Sequence, residues 1–311
     1  MSQKAAAPQP TPPPRMTLQS VIKGKQAEPM SVVLYGVEKI GKSTFGADAP
    51  SPIFLDAERG TEEIDTARFP TPETWGDVLE AIRTLTTESH GYKTFVADTL
   101  DWIEPKLWDF ICARDKKLDI EAYGYGKGYI AALDEWRIFL AAIEKLRTVK
   151  RMNVILLAHS WVKTFKNPEG EDYDRFEMKL HAKAAGLIKE WPKAVLFANH
   201  ETIVTEDDRK RVRGVGTGKR TIYTKRSAAF DAGNRYNLPD TLPLAWSEFS
   251  AAVEAGQIAD PKIVIEEITR KAKAAGEEIE KKAAGFLVTA GVDPVKLAKL
   301  NAWVNSQQKE A

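Results

Sequence analysis

The chain has 311 residues, with 45 lysines and arginines against 44 aspartates and glutamates, for a formal net charge of +1. That balance excludes a global pull toward polyanions, so any nucleic-acid contact must be a local patch. Hydrophobic content of 43% and charged content of 29% exclude a disordered or fibrous chain, and the lone Cys112 excludes an intramolecular disulfide framework.

Residues 1–28 read as a disordered arm, because Pro8, Pro10, Pro12, Pro13 and Pro14 forbid helix and sheet. The arm has no apolar h-region of a secretory signal, and no later run approaches the roughly 18–20 apolar residues that span a bilayer. The expectation is a cytoplasmic protein with no membrane contact. An alternating core follows over 29–257. Ser31 to Tyr35 is a buried strand, then a loop and a helix from Ser43. Ile53 to Leu55 is a second strand ending at Asp56, and Val78, Leu79, Ile82 and Leu85 give helical spacing over 75–85. Thr94 to Ala97 is a third strand ending at Asp98. A long helix follows the Gly-rich stretch 124–128, with Tyr129, Leu133, Trp136, Leu140 and Ile143 on one face. Asn153 to Ala158 and Ala194 to Ala198 are apolar strands, and short strands are expected at 202–204 and 221–223. Apolar strands alternating with helices predict an α/β fold with a mostly parallel sheet flanked by helices. Past residue 258 the composition turns to Ala, Lys and Glu. Helices are expected over 263–275 and 277–289. Gly291 reads as a stop and Asp293-Pro294 as the start of a last helix, and the whole as a small helical appendage.

The loop after the first strand carries the sharpest chemical signal. Gly36-Val37-Glu38-Lys39-Ile40-Gly41-Lys42-Ser43, followed by Thr44, fits the phosphate-binding pattern G-x-x-x-x-G-K-[ST] between a strand and a helix. The glycines let backbone N–H groups turn around an anion, Lys42 reaches β- and γ-phosphates, and the Ser43 hydroxyl can ligate Mg²⁺. Ligands of open α/β sheets sit beyond the carboxyl ends of the strands, and three strand ends are polar here. Asp98 suits the Mg²⁺ carboxylate, with Thr99 and Asp101 able to assist; the alternative is a helix cap. Glu58 suits the general base, on the expectation that strand alternation carries Asp56 and Glu58 to one side; a surface glutamate is the alternative. His159 either contacts the γ-phosphate and reports hydrolysis or is a satisfied histidine at a strand end.

Two stretches could touch DNA. Tyr123, Tyr125 and Lys127 interleave aromatics with glycines, and a loop over 160–185 carries Trp161, Lys163, Phe165 and Lys166. Both could equally be plain surface loops. Arg209, Lys210 and Arg211 open the most basic segment, which could grip a nucleic-acid backbone or simply be solvated. Lys225 or Arg226 could reach a phosphate across a subunit interface.

Tyr35-Gly36 with Lys39 to Phe45, Phe54 to Glu58, Lys93 to Asp101, Tyr123 to Gly128, Asn153 to His159 and Lys225 to Arg235 occur in this order. Together they resemble phage-encoded RecA-like P-loop ATPases, a group of phage nucleotide-binding proteins that includes single-strand annealing proteins. The resemblance covers roughly residues 29–250. It implies a RecA-like core, ATP and Mg²⁺ as cofactors, and oligomers, filament or ring, with ATP between subunits. It also implies work on single-stranded DNA in recombination, with a single-strand DNA-binding protein as a partner. Lys42 and Ser43 match the phosphate-loop pair, Asp98 the magnesium aspartate and Glu58 the catalytic glutamate. His159 stands where RecA carries a glutamine, which is a departure. Other readings of the same residues are a ring ATPase that unwinds DNA or loads a helicase, and a nucleotide-gated scaffold with negligible turnover.

Overall fold

The computed structural model describes residues 16–23, 26, 28–206, 212–257 and 261–310. In chain order the elements are β1 (Ser31–Gly36), α1 (Lys42–Ala47), β2 (Pro52–Asp56), β3 (Ala67–Arg68), α2 (Trp75–Thr87), β4 (Thr94–Asp98) and α3 (Leu100–Arg114). Then come α4 (Lys127–Thr148), β5 (Asn153–Phe165), β6 (Tyr173–Met178), α5 (Ala182–Glu190), β7 (Ala194–Glu206) and β8 (Val212–Tyr223). The chain continues through β9 (Gly233–Asn234), β10 (Thr241–Pro243), α6 (Trp246–Gln257), α7 (Pro261–Ala275), α8 (Glu277–Ala290) and α9 (Pro294–Glu310).

The main path of the sheet runs β10-β8-β7-β1-β5-β4-β2-β3. The strands from β7 to β3 along that path are parallel, while β8 and β10 join antiparallel at one edge. The unbroken apolar run of β1 follows from its central place. Val33 and Tyr35 face the cluster built with Trp75, Leu107, Trp136 and Phe139 of α2, α3 and α4. Val32 and Leu34 face a second cluster that holds Phe45 of α1 and Trp246 and Phe249 of α6. A strand covered on both faces has no polar side to show. A mostly parallel sheet flanked by helices is therefore the fold, as the alternation predicts.

Several elements differ from the sequence reading. The helix α3 is an addition to the expected elements, and it carries Pro105 inside it, where proline has no N–H to give the helix. The expected loop over 160–185 is the β5–β6 hairpin, with Ser160 opposite Met178 and Phe165 opposite Tyr173, followed by α5. Its strands are largely solvated and so lack an apolar run to announce them. The two short strands expected near 194–198 and 202–204 are one strand, β7, with an irregularity between His200 and Thr202. At the far end the capping signals are correct: Asp293 Oδ1 accepts the N–H groups of Val295 and Lys296 at 2.9 and 3.2 Å. Ile268, Ala272, Ala283, Leu297, Leu300 and Val304 of α7–α9 form a third apolar cluster of their own. Lys299 of α9 donates to Glu248 of α6 at 2.6 Å.

Candidate nucleotide site

The loop between β1 and α1 lies at the carboxyl end of the central strands, where Gly36 stands level with His159 of β5 and Ala198 of β7. Two glycines make it possible. A Cβ on Gly36 would sit 2.2 Å from the Ala198 carbonyl oxygen, an atom of the neighbouring strand that cannot swing aside. Gly41 has φ of 107°, which L side chains rarely adopt. Lys42 is 5% exposed, and its Nζ donates to the carbonyls of Gly36 at 3.2 Å and Val37 at 2.9 Å. Burial lowers the pKa of this amine, while the nearby carboxylates of Asp98, Asp101 and Glu58 oppose that shift. Arg220 of β8 reaches the loop from the other flank, donating to the Ile40 carbonyl at 3.4 Å. No local signal marks that contact, since the partners are 180 positions apart in sequence.

Across the cleft, Asp98 ends β4 and is 2% exposed. Burial pushes its carboxyl up to about 6, against the opposing pull of a hydrogen bond with the Ser43 hydroxyl. Its second oxygen, Oδ2, is buried without a partner. An unsatisfied carboxylate oxygen beside a serine hydroxyl is a costly arrangement in a bare core. It is the donor set that a hard divalent cation with several waters or phosphate oxygens takes up, so the residues fit Mg²⁺. Among the described residues no group of three or more His, Cys, Asp or Glu side chains could hold a metal alone. Ser43 and Asp98 would therefore share the ion with phosphate and water.

Asp56 and Glu58 part company. The strand ends at Asp56, so alternation does not extend to Glu58. Asp56 turns back to accept the N–H groups of Glu58, Gly60 and Thr61 at 3.2, 3.1 and 3.0 Å, and the Thr61 hydroxyl at 2.5 Å. It builds the turn that carries Glu58, whereas Glu58 lines the cleft. Glu58 Oε2 accepts from the Thr99 hydroxyl at 3.4 Å and lies 3.7 Å from His159 Nε2.

His159 is fixed by Asp101. The carboxylate takes its main-chain N–H at 2.9 Å and stands 2.9 Å from ring Nδ1. Burial alone would raise the Asp101 carboxyl, but the hydrogen bonds from His159 outweigh it and the pKa is lowered. An ionised carboxylate only accepts, so ring Nδ1 carries its proton toward Asp101, and Nε2 faces Glu58 and the cleft. Lys39, Gly41, Lys42, Ser43, Thr44, Glu58, Asp98, Thr99 and His159 line one space of about 340 Å³, within the range of small-ligand sites.

The remaining expected site residues lie elsewhere. Tyr123 is half-buried and its hydroxyl donates to Asp115 at 2.7 Å and to the Ile111 carbonyl at 2.9 Å. Tyr125, by contrast, is fully exposed, and Lys127 is exposed at the start of α4. On the hairpin, Lys163 Nζ sits 3.9 Å from the centre of the Trp161 ring, and Lys166 pairs with Asp172. Lys225 pairs with Asp240, and Arg226 with Asp231 at 3.3 Å, so both cations have partners within the chain. Arg209, Lys210 and Arg211 lie outside the described residues.

A family of proteins described as an AAA domain matches residues 28–236. The chain belongs to this AAA-domain family. The match spans β1 through β9 and includes the whole cleft just described. A P-loop nucleoside triphosphatase is the coarse identity that family and fold share. Among solved structures, a crystal structure of the RadB recombinase is similar, with 13% identity, a TM-score of 0.40, and coverage of 69% of this chain and 86% of that one. No curated protein matches the chain. Among the described residues, no helix is long and apolar enough to cross a membrane.

Proposed function

We propose that the protein is a phage-encoded RecA-like ATPase of the host cytoplasm, which binds single-stranded DNA and promotes ATP-dependent annealing as an oligomer. The observation that carries the nucleotide part is the buried, unpartnered Oδ2 of Asp98 beside Ser43, opposite a phosphate loop. Lys42, with its amine parked on two loop carbonyls, is free to turn to the β- and γ-phosphates. The main-chain N–H groups of 37–44 and the start of α1 cradle the phosphates. Ser43 and Asp98 hold Mg²⁺, which when bound neutralises charge on the phosphate oxygens.

Glu58 is the general base. Its oxygen faces the cleft, and Thr99 holds it there. His159 assists from the end of β5. With Nδ1 held by Asp101, its Nε2 faces the cleft, where it can contact the γ-phosphate and report hydrolysis. The DNA contacts are assigned to Tyr125 and Lys127 at the start of α4, with Tyr123 contributing its ring, and to Lys163 and Lys166 on the β5–β6 hairpin. An exposed aromatic flanked by lysine suits a strand of stacked bases. Arg209, Lys210 and Arg211 add backbone contacts, and Lys225 and Arg226 act on the ATP of a neighbouring protomer after exchanging their partners. A single-strand DNA-binding protein is the expected companion on DNA.

The deciding experiment is annealing of complementary strands with and without ATP, comparing the parent with Lys42→Ala. Loss of ATP-dependent annealing together with nucleotide binding supports the reading. Full annealing by a variant that no longer binds nucleotide rejects the coupling.

A further inference from the structure

Two acidic residues one turn apart on α3 hold the two ends of the β5–β6 hairpin. Asp101 takes the main-chain and ring N–H groups of His159, the residue at which β5 leaves its pairing with β1 and enters its pairing with β6. Glu104 Oε2 accepts the main-chain N–H of His181 at 3.0 Å, just past the end of β6. The Lys179 N–H closes the base, donating to the His159 carbonyl at 2.8 Å. Since α3 starts right after Asp98 and Thr99, the same rigid turn touches the nucleotide cleft and both hairpin ends.

Glu104 is hard to explain as a stabilising residue. It is 3% exposed and its Oε1 has no partner. The Trp136 indole N–H lies near enough to lower its pKa but lacks hydrogen-bond geometry, and burial still pushes the carboxyl up to about 7. An apolar side chain of similar volume would avoid that desolvation cost. What Glu104 alone supplies is the grip on His181. The His181 ring in turn stacks on Tyr129 of α4, centroids 3.9 Å apart and planes 2° off parallel. Tyr129 follows directly on the Gly-rich stretch that ends at Gly128.

We propose that Glu104 is a positioning residue that ties the chain leaving β6 at the base of the β5–β6 hairpin to the nucleotide cleft, so that nucleotide occupancy sets the order of the hairpin. The inference rests on the ATPase reading above. Asp101 senses the cleft through His159, α3 moves as a unit, and Glu104 carries the displacement to His181 and the Tyr129 stack.

The test is hydrogen–deuterium exchange of residues 160–178 in the full-length protein, with and without Mg²⁺ and a slowly hydrolysed ATP analogue, alongside the analogue's affinity. In the parent the analogue slows exchange of the hairpin. Glu104→Gln keeps an acceptor for the His181 N–H and keeps that response. Glu104→Leu fills the space without an acceptor; it binds the analogue as the parent does and loses the response by about tenfold, within the usual span of site-to-site coupling. Glu104→Ala, judged folded by its melting curve, repeats the test if the leucine variant does not fold. A hairpin response in both acceptor-free variants equal to that of the parent overturns the proposal, as does a parent whose hairpin ignores a bound analogue. Failure of the parent to bind the analogue at all rejects the ATPase reading itself, and is recognised by the affinity measurement.

Discussion

The nucleotide cleft and the C-terminal helices are built on opposite plans. The cleft concentrates buried charge: Lys42, Asp98 and the Asp101–His159 pair lie within a few residues of strand ends, each nearly sealed from solvent. Among the described residues the α7–α9 region buries apolar side chains, and its charges form pairs at the surface such as Glu277–Lys281. Buried ionic groups are expensive unless a rigid frame supplies partners, and the parallel sheet supplies that frame to the cleft. The helices need no such frame, because apolar contacts are non-directional. Buried charge is thus gathered at one end of the sheet, and the described core of the helices is apolar.

Substitutions test that contrast. The largest effect is expected from Lys42→Ala, which removes the cation facing the phosphates and lowers the hydrolysis rate by roughly 10³-fold, about 4 kcal/mol in the barrier. Steady-state phosphate release measures it. Next is Leu297→Ala in the helices, where a side chain with no exposed surface is lost. It costs about 3 kcal/mol of stability by thermal melting, while the hydrolysis rate of the core stays at the parent value. A large loss of hydrolysis in that variant would show the two regions to be one cooperative unit.

A pH series on Glu104→Gln gives a smaller effect. The folded pKa of Glu104, about 7, stands above its ordinary 4.5. The stability that this contributes is fully present below 4.5 and is lost as pH rises through about 7. The glutamine variant has no such loss. The stability difference should therefore move in its favour by roughly 2 kcal/mol between about pH 5 and pH 8, as read from denaturant midpoints. The smallest effect is that of Lys281→Ala. This lysine and its Glu277 partner are 75% and 81% exposed, so melting should be unchanged within error. Two lysines with opposite consequences would state the contrast most simply.

Much of the cleft was legible in the chain. The phosphate loop has fixed spacing, and Asp98 and Glu58 follow apolar runs that could only be strands. Asp56 and Glu58 do not share a side, because the strand stops at Asp56 and its alternation does not reach Glu58 two residues on. The β5–β6 hairpin leaves little sign in the chain, since half-solvated strands give no apolar run. The partners of Tyr123 and Arg226 lie nearby in the chain, whereas Arg220 reaches Ile40 across 180 positions. A contact between residues distant in sequence leaves no mark on either segment.

The alternation of strands and helices, the phosphate loop and the polar strand ends can be read from the chain, because they depend on local spacing and on side-chain chemistry. Only the tertiary structure decided that His159 is held by Asp101, that Glu58 reaches the cleft while Asp56 builds a turn, and that one helical turn grips both ends of the hairpin. Except for the local Asp56 turn, those facts follow from which strands lie side by side, and strand order is set by packing across the whole sheet.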